Sequence, residues 1–184
     1  STVCSYMVYN GNESDVDCGG SCPADCADGL GCFVGADCIS KVCTTNVCQA
    51  PSCTDGVQNG NETGVDCGGA SCPACAVNGC TEAMATDMTG MVGITITFGF
   101  TFYNPPCVKV SPNTMVTFSG TFASHPLVGG EVVGNTKVPD ASSPILPTSS
   151  GSSATFTLSN IGVYPYYCNP HALGGMKGAV FVVP

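Results

Sequence analysis

The sequence predicts an all-β fold: a β-sandwich in the second half, preceded by a disulfide-rich and largely irregular module. Three observations carry this expectation. Thirteen of the 15 cysteines fall between Cys4 and Cys80. Seven of the eight phenylalanines fall beyond residue 80. That second half shows short runs of period-two alternation separated by turn residues, and no convincing helix. A small cross-linked module at 1–80 and a domain with a proper apolar core at 81–184 follow from the division.

The first half contains an internal repeat. Residues 4–26 and 53–75 share the frame C-x13-C-G-G, then Ser-Cys-Pro, then a further cysteine. Between the copies run Cys32, Cys38, Cys43 and Cys48. Gly, Asn and Asp supply turns throughout, so no long helix or strand fits. The frame resembles cysteine-rich repeats of large secreted bacterial proteins, where such a module acts as a spacer or surface attachment. Each copy also crowds oxygen-bearing side chains into a Gly-rich loop: Asn10, Asn12, Glu13 and Asp17 in the first, Asp55, Asn59, Asn61, Glu62 and Asp66 in the second. Hard oxygen donors at short intervals suit calcium. Their spacing is not that of an EF-hand, and a solvated acidic turn accounts for them equally well.

In the second half, residues 94–103 place Ile94, Ile96, Phe98, Phe100 and Phe102 on one face and Thr95, Thr97 and Thr101 on the other. This predicts a half-buried strand, bent at Gly99. Val108 and Val110 form a second strand, a Ser-Pro-Asn turn follows, and Met115–Phe118 form a third. Residues 134–153, rich in Ser, Pro and Gly, read as a long loop. Strands at 154–158, 164–168 and 178–183 complete the set.

Between the last two strands the chain reads Cys168-Asn-Pro-His171-Ala-Leu-Gly-Gly-Met176, a C-x2-H-x4-M spacing. The only other histidine, His125, follows the third strand. Two imidazoles, a thiolate and a weak axial thioether are the donor set of a blue copper site. Sulfur donors suit Cu(I), and imidazole tolerates both oxidation states.

The run Y-C-x-P-H-x4-M-x-G-x-V-x-V, with Val108-Lys-Val110, Val116-Thr-Phe118 and His125 upstream, resembles the plastocyanin and pseudoazurin branch of the cupredoxins. The resemblance covers about residues 91–184. It implies a Greek-key sandwich and one type 1 copper held by His125, Cys168, His171 and Met176. It also implies docking of redox proteins near His171, Ala172 and Leu173, with Leu127 close by. Family members usually carry Asn after the first histidine, and its N–H supports the thiolate. Pro126 has no N–H to give, which implies a lower reduction potential. With Cys168 as a metal thiolate, 14 cysteines remain, enough for seven disulfides. Connectivity does not follow from sequence, but a Cys80–Cys107 bridge is expected.

The implied function is one-electron transfer in an extracytoplasmic compartment: periplasmic, cell-surface or secreted. The disulfide density agrees with an oxidising compartment. No signal peptide is seen, which reads as a mature exported chain. An alternative is a copper-binding or surface-attachment module without a carrier role. Multicopper enzymes need further histidines, and this chain has two, so no enzyme is expected. No apolar run approaches a membrane span. Net charge is −9 with no arginine, which excludes nucleic acid. Residues 1–80 hold nine of the acids against Lys41, so electrostatic steering toward a basic partner is expected.

Overall fold

The computed structural model describes residues 4–5 and 7–184, in two compact units, Ser1–Cys75 and Ala76–Pro184. Residues 76–80 thus belong with the β domain. No α-helix occurs among the described residues.

Among the described residues of the first unit, regular structure is limited to a two-stranded ribbon, β1 (Cys43–Thr44) and β2 (Val47–Cys48), and one 3₁₀ turn. Disulfides take the place of a conventional core. Three successive groups of four cysteines each pair first to third and second to fourth. These are Cys4–Cys22 with Cys18–Cys26, Cys32–Cys43 with Cys38–Cys48, and Cys53–Cys72 with Cys67–Cys75. Closing a loop of about 15 residues this way stabilises by about 3 kcal/mol. The two repeats share their backbone hydrogen bonds as well. Ser14 N–H donates to Cys18 O, and Thr63 N–H to Cys67 O. The second glycine of each Cys-Gly-Gly, Gly20 and Gly69, has positive φ and lies against the carbonyl oxygen of Asn12 or Asn61, where no Cβ fits.

The second unit is a sandwich of two sheets. One has the order β10 (Ser153–Leu158), β7 (Thr114–Ser119), β4 (Gly93–Gly99), β5 (Phe102–Asn104). The other has the order β3 (Thr86–Asp87), β6 (Cys107–Val110), β12 (Lys177–Val182), β11 (Gly162–Cys168), β8 (Leu127–Val133), β9 (Thr136–Pro139). Ile94, Ile96 and Phe98 face inward from β4 and meet Val116, Phe118, Tyr166 and Val180 in one continuous core. Each such side chain contributes about 1.5–3 kcal/mol on burial. The Cys80–Cys107 disulfide ties the segment before β3 to β6.

Asn78 anchors the segment preceding Cys80. Asn78 is buried and has a positive φ. Its Nδ2 donates to the carbonyls of Gly130, Tyr166 and Gly178, and its Oδ1 accepts from Val132 N–H. It therefore bonds β8, β11 and β12 at once.

Three strand expectations need correction. Residues 94–103 are not one bent strand. The chain reverses at Phe100–Thr101, and β5 returns antiparallel to β4. Phe100 and Phe102 then stack on each other outside the core, 86% and 55% exposed. β8 was hidden by the glycine pair Gly129–Gly130, and β9 lies inside the expected 134–153 loop. Gly129 and Gly130 are required because a Cβ on either would clash with the Ile145 or the Val138 carbonyl oxygen.

Candidate metal centre

Strand pairing builds the site. Cys168, the last residue of β11, pairs with Leu127, the first of β8. Asn169 N–H donates to Pro126 O at 2.9 Å. His125 is thereby fixed two residues before β8, and a turn on Thr121 O, bonded by the His125 N–H at 3.1 Å, sets its approach. On the other side the loop 169–175 folds back on itself. His171 N–H donates to Cys168 O, Met176 N–H to His171 O, and Cys168 N–H to Met176 O. A 3₁₀ turn, Ala172–Gly174, ends at Gly175 with φ of 102°, a conformation glycine accepts without cost.

These constraints bring three donor atoms together. Nδ1 of His125 and Nδ1 of His171 are 3.2 Å apart, and the Cys168 sulfur lies 3.8 Å and 3.3 Å from them. The centre of this triangle stands roughly 2 Å from each atom, close to first-row metal–nitrogen and metal–thiolate bond lengths. Cys168 is buried and is the one free cysteine among the described residues. Met176 is fully buried in the core cluster that holds Cys168. The donor set and its spacing fit a copper ion.

The electrostatics of the three donors favour a cation. Burial pushes the Cys168 thiol up, opposed by the His171 N–H and the Lys137 charge. Lys137 itself is anchored on Asn169 O at 2.8 Å and Oδ1 at 3.1 Å. Burial, then the neighbouring His171, lowers the pKa of His125 and keeps its imidazole neutral. A cation would favour the thiolate and the free imidazole lone pairs together.

The family model for copper binding proteins of the plastocyanin/azurin family matches residues 90–183. The chain belongs to this family. Among solved structures, the cupredoxin domain is similar to amicyanin and pseudoazurin. An oxidised amicyanin variant is 22% identical over 50% of this chain and 82% of its own, with a TM-score of 0.36. A Cu(I) amicyanin variant is 22% identical over 51% and 85%, with a TM-score of 0.37. Pseudoazurin from Methylobacterium extorquens AM1 is 22% identical over 49% and 74%, with a TM-score of 0.37. No curated protein matches the chain.

Two residues expected at the cupredoxin docking surface are elsewhere. Ala172 is fully buried against Tyr167 and Val132, and Leu127 is fully buried in the core. Neither can touch a partner. Leu173, 59% exposed, remains at the surface, and His171 is half-buried.

The acidic side chains of the repeats are spent on backbone N–H groups. Glu13 accepts from Asn10 N–H at 2.9 Å and Glu62 from Asn59 N–H at 3.2 Å. Asp17 accepts from Met7 N–H at 2.8 Å and Asp66 from Gly56 N–H at 2.9 Å. Asp55 accepts from Ser52 and Val57 N–H. Asn12 and Asn61 present their main-chain carbonyls to Gly20 and Gly69. Among the described residues, the ligand-type clusters of the repeats join one glutamate to two sulfurs of a disulfide. Such sulfurs offer a hard cation no charge.

Sequence reasoning passed over three residues. Asp37 is buried and accepts from Ser14 Oγ at 2.6 Å and from the N–H groups of Gly20, Phe33 and Val34. Its signal was only one acid among nine. The Phe98 ring meets the His125 ring edge-on with centroids 6.2 Å apart, and the Tyr103 ring packs against Phe98 with centroids 5.6 Å apart. Both read as ordinary strand aromatics.

Proposed function

We propose that the chain carries single electrons on one type 1 copper held by His125, Cys168, His171 and Met176. The observation that supports this most is the lone free thiol set between two histidine nitrogens at 3.3 and 3.8 Å. Copper, when bound, supplies a Cu(II)/Cu(I) couple. Cys168 and Met176 offer the soft donors that suit Cu(I), and the imidazoles serve both states. The backbone bonds from Cys168 N–H to Met176 O and from Asn169 N–H to Pro126 O tie the ligand-bearing segments to each other. Such a frame resists rearrangement when charge changes. Half-buried His171, beside exposed Leu173, is the contact point for a redox protein.

Seven disulfides support an extracytoplasmic setting, periplasmic, cell-surface or secreted. No helix among the described residues is long and apolar enough to cross a membrane. The acidic module serves attachment or steering of a basic partner, an effect that salt weakens. Calcium has no part in this reading.

Copper exchange against a chelator, followed alongside a redox titration, tests the carrier role. Slow exchange with reversible one-electron cycling supports it. Rapid loss of copper to the chelator, without reversible cycling, overturns it in favour of copper delivery or sequestration.

A further inference from the structure

The ligand loop, residues 169–175, closes mostly on itself. The backbone hydrogen bonds of His171, Ala172, Gly174 and Gly175 stay within the loop or reach only the flanking Cys168, Met176 and Lys177. Beyond the donor triangle, the hydrogen bonds that tie the loop to the rest of the domain converge, among the described residues, on Asn169. Its N–H donates to Pro126 O at 2.9 Å. Its carbonyl oxygen and its Oδ1 both accept from Lys137 Nζ, at 2.8 and 3.1 Å. One ammonium thus grips both the main chain and the side chain of the residue that follows Cys168.

Strand register sets this up. Lys137 lies on β9 opposite Val132 of β8. Val132 packs with Ala172, the buried residue of the loop. The β8–β9 hairpin therefore seats the loop twice, by packing at Ala172 and by Lys137 at Asn169. The use of charge is selective as well. The chain has four lysines and no arginine against 13 acids. Lys41 and Lys109 each pair with an aspartate. Lys137 makes no ion pair among the described residues and directs its bonds to two neutral oxygens of one residue. Hydrogen bonds from an ionised donor are shorter and stronger than neutral ones. The Cys168 sulfur beneath the loop is fully buried, so a reagent reaches it only when this region opens locally.

We propose that Lys137 is a positioning residue of the metal centre: by latching Asn169 it holds the ligand loop closed, limits access to the Cys168 sulfur and slows copper exchange. The access half concerns the metal-free chain, and the exchange half rests on the copper reading of the site. A carrier keeps its metal through repeated redox cycles. A latch outside the ligand set provides this by fixing the ligands in place rather than by adding a donor.

The test uses the full chain with its disulfides intact, as wild type, Lys137→Met and Lys137→Arg, each checked by circular dichroism to be folded at the working temperature. In the metal-free proteins, Cys168 is alkylated with iodoacetamide and the modified fraction is read by mass spectrometry over time. Lys137→Met should be labelled severalfold faster, and Lys137→Arg, which keeps charged N–H donors, close to the wild-type rate. Loss of a positive charge alone would disfavour the thiolate and slow the labelling, so the direction of the change separates a latch from a field effect. A Lys137→Met variant labelled at the wild-type rate or slower overturns the proposal, and so does a Lys137→Arg variant accelerated as much as Lys137→Met. In the copper-loaded proteins, transfer of copper to EDTA should follow the same order. Transfer from Lys137→Met no faster than from wild type overturns the exchange half. A wild-type chain that takes no copper, with the labelling order intact, overturns the copper reading and leaves the latch standing.

Discussion

The side-chain amide of Asn78 donates to the carbonyl of Tyr166 at 2.9 Å, joining the segment that opens the β domain to the strand that ends in Cys168. Two further carbonyls, on β12 and β8, share the same amide. Asn78→Ala would strand buried carbonyls and the Val132 N–H, at about 1–3 kcal/mol for each group left unsatisfied. We expect a loss of several degrees in the thermal midpoint of the second unit, measured by calorimetry. Asn78→Asp should be worse, since a carboxylate cannot donate to three carbonyls.

Pro126 offers its carbonyl to Asn169 N–H but has no N–H of its own. Pro126→Asn restores the N–H that the family resemblance assigns to the support of the thiolate, while leaving that carbonyl in place. The reduction potential, read by voltammetry, should rise. An unchanged or lowered value would show that the missing N–H does not tune this site.

Asp37 is held well below the ordinary carboxylate range, first by the Ser14 hydroxyl and then by three backbone N–H groups, against the effect of burial. A depressed folded-state pKa means its stabilisation is fully present above the unfolded value of about 3.9 and is lost as pH falls through the folded value. Asp37→Asn should therefore lower the melting temperature of the disulfide-intact chain at neutral pH. That gap should narrow steadily below about pH 4. A gap constant from pH 7 to pH 2 would contradict this role.

The repeat carboxylates accept backbone N–H groups at equivalent positions in both copies, Glu13 with Asn10 and Glu62 with Asn59. They act as turn staples. Adding a calcium chelator to the oxidised protein should leave its melting temperature unchanged, whereas Glu13→Ala should lower it. A chelator-induced drop reversed by calcium would restore the metal reading.

The sequence made the proposed copper ligands readable because three of them sit in one short loop whose spacing is chemically specific. The alternation of Ile94, Ile96 and Phe98 likewise announced a core strand. The same alternation misled at Phe100 and Phe102, because the hairpin at Phe100–Thr101 reverses the chain and takes both rings out of the core. β8 was illegible because Gly129 and Gly130, which local propensity counts against a strand, are demanded by backbone crowding from distant residues. Ala172 looked like surface beside Leu173, yet a 3₁₀ turn points adjacent residues in different directions. Asp37 has no local signature: its role depends on Ser14 and Gly20, far away in the chain, as well as on nearby Phe33 and Val34.

The most direct measurement is the visible absorption spectrum of the metal-free protein titrated with Cu(II), beside the Cys168→Ser variant. The site described here predicts an intense blue band in the wild type that saturates at one copper per chain, bleaches on reduction and is missing from Cys168→Ser. A pale or colourless wild-type product would show that Cys168 is not a copper ligand, and the β domain would then be a binding module that kept the fold without the redox chemistry.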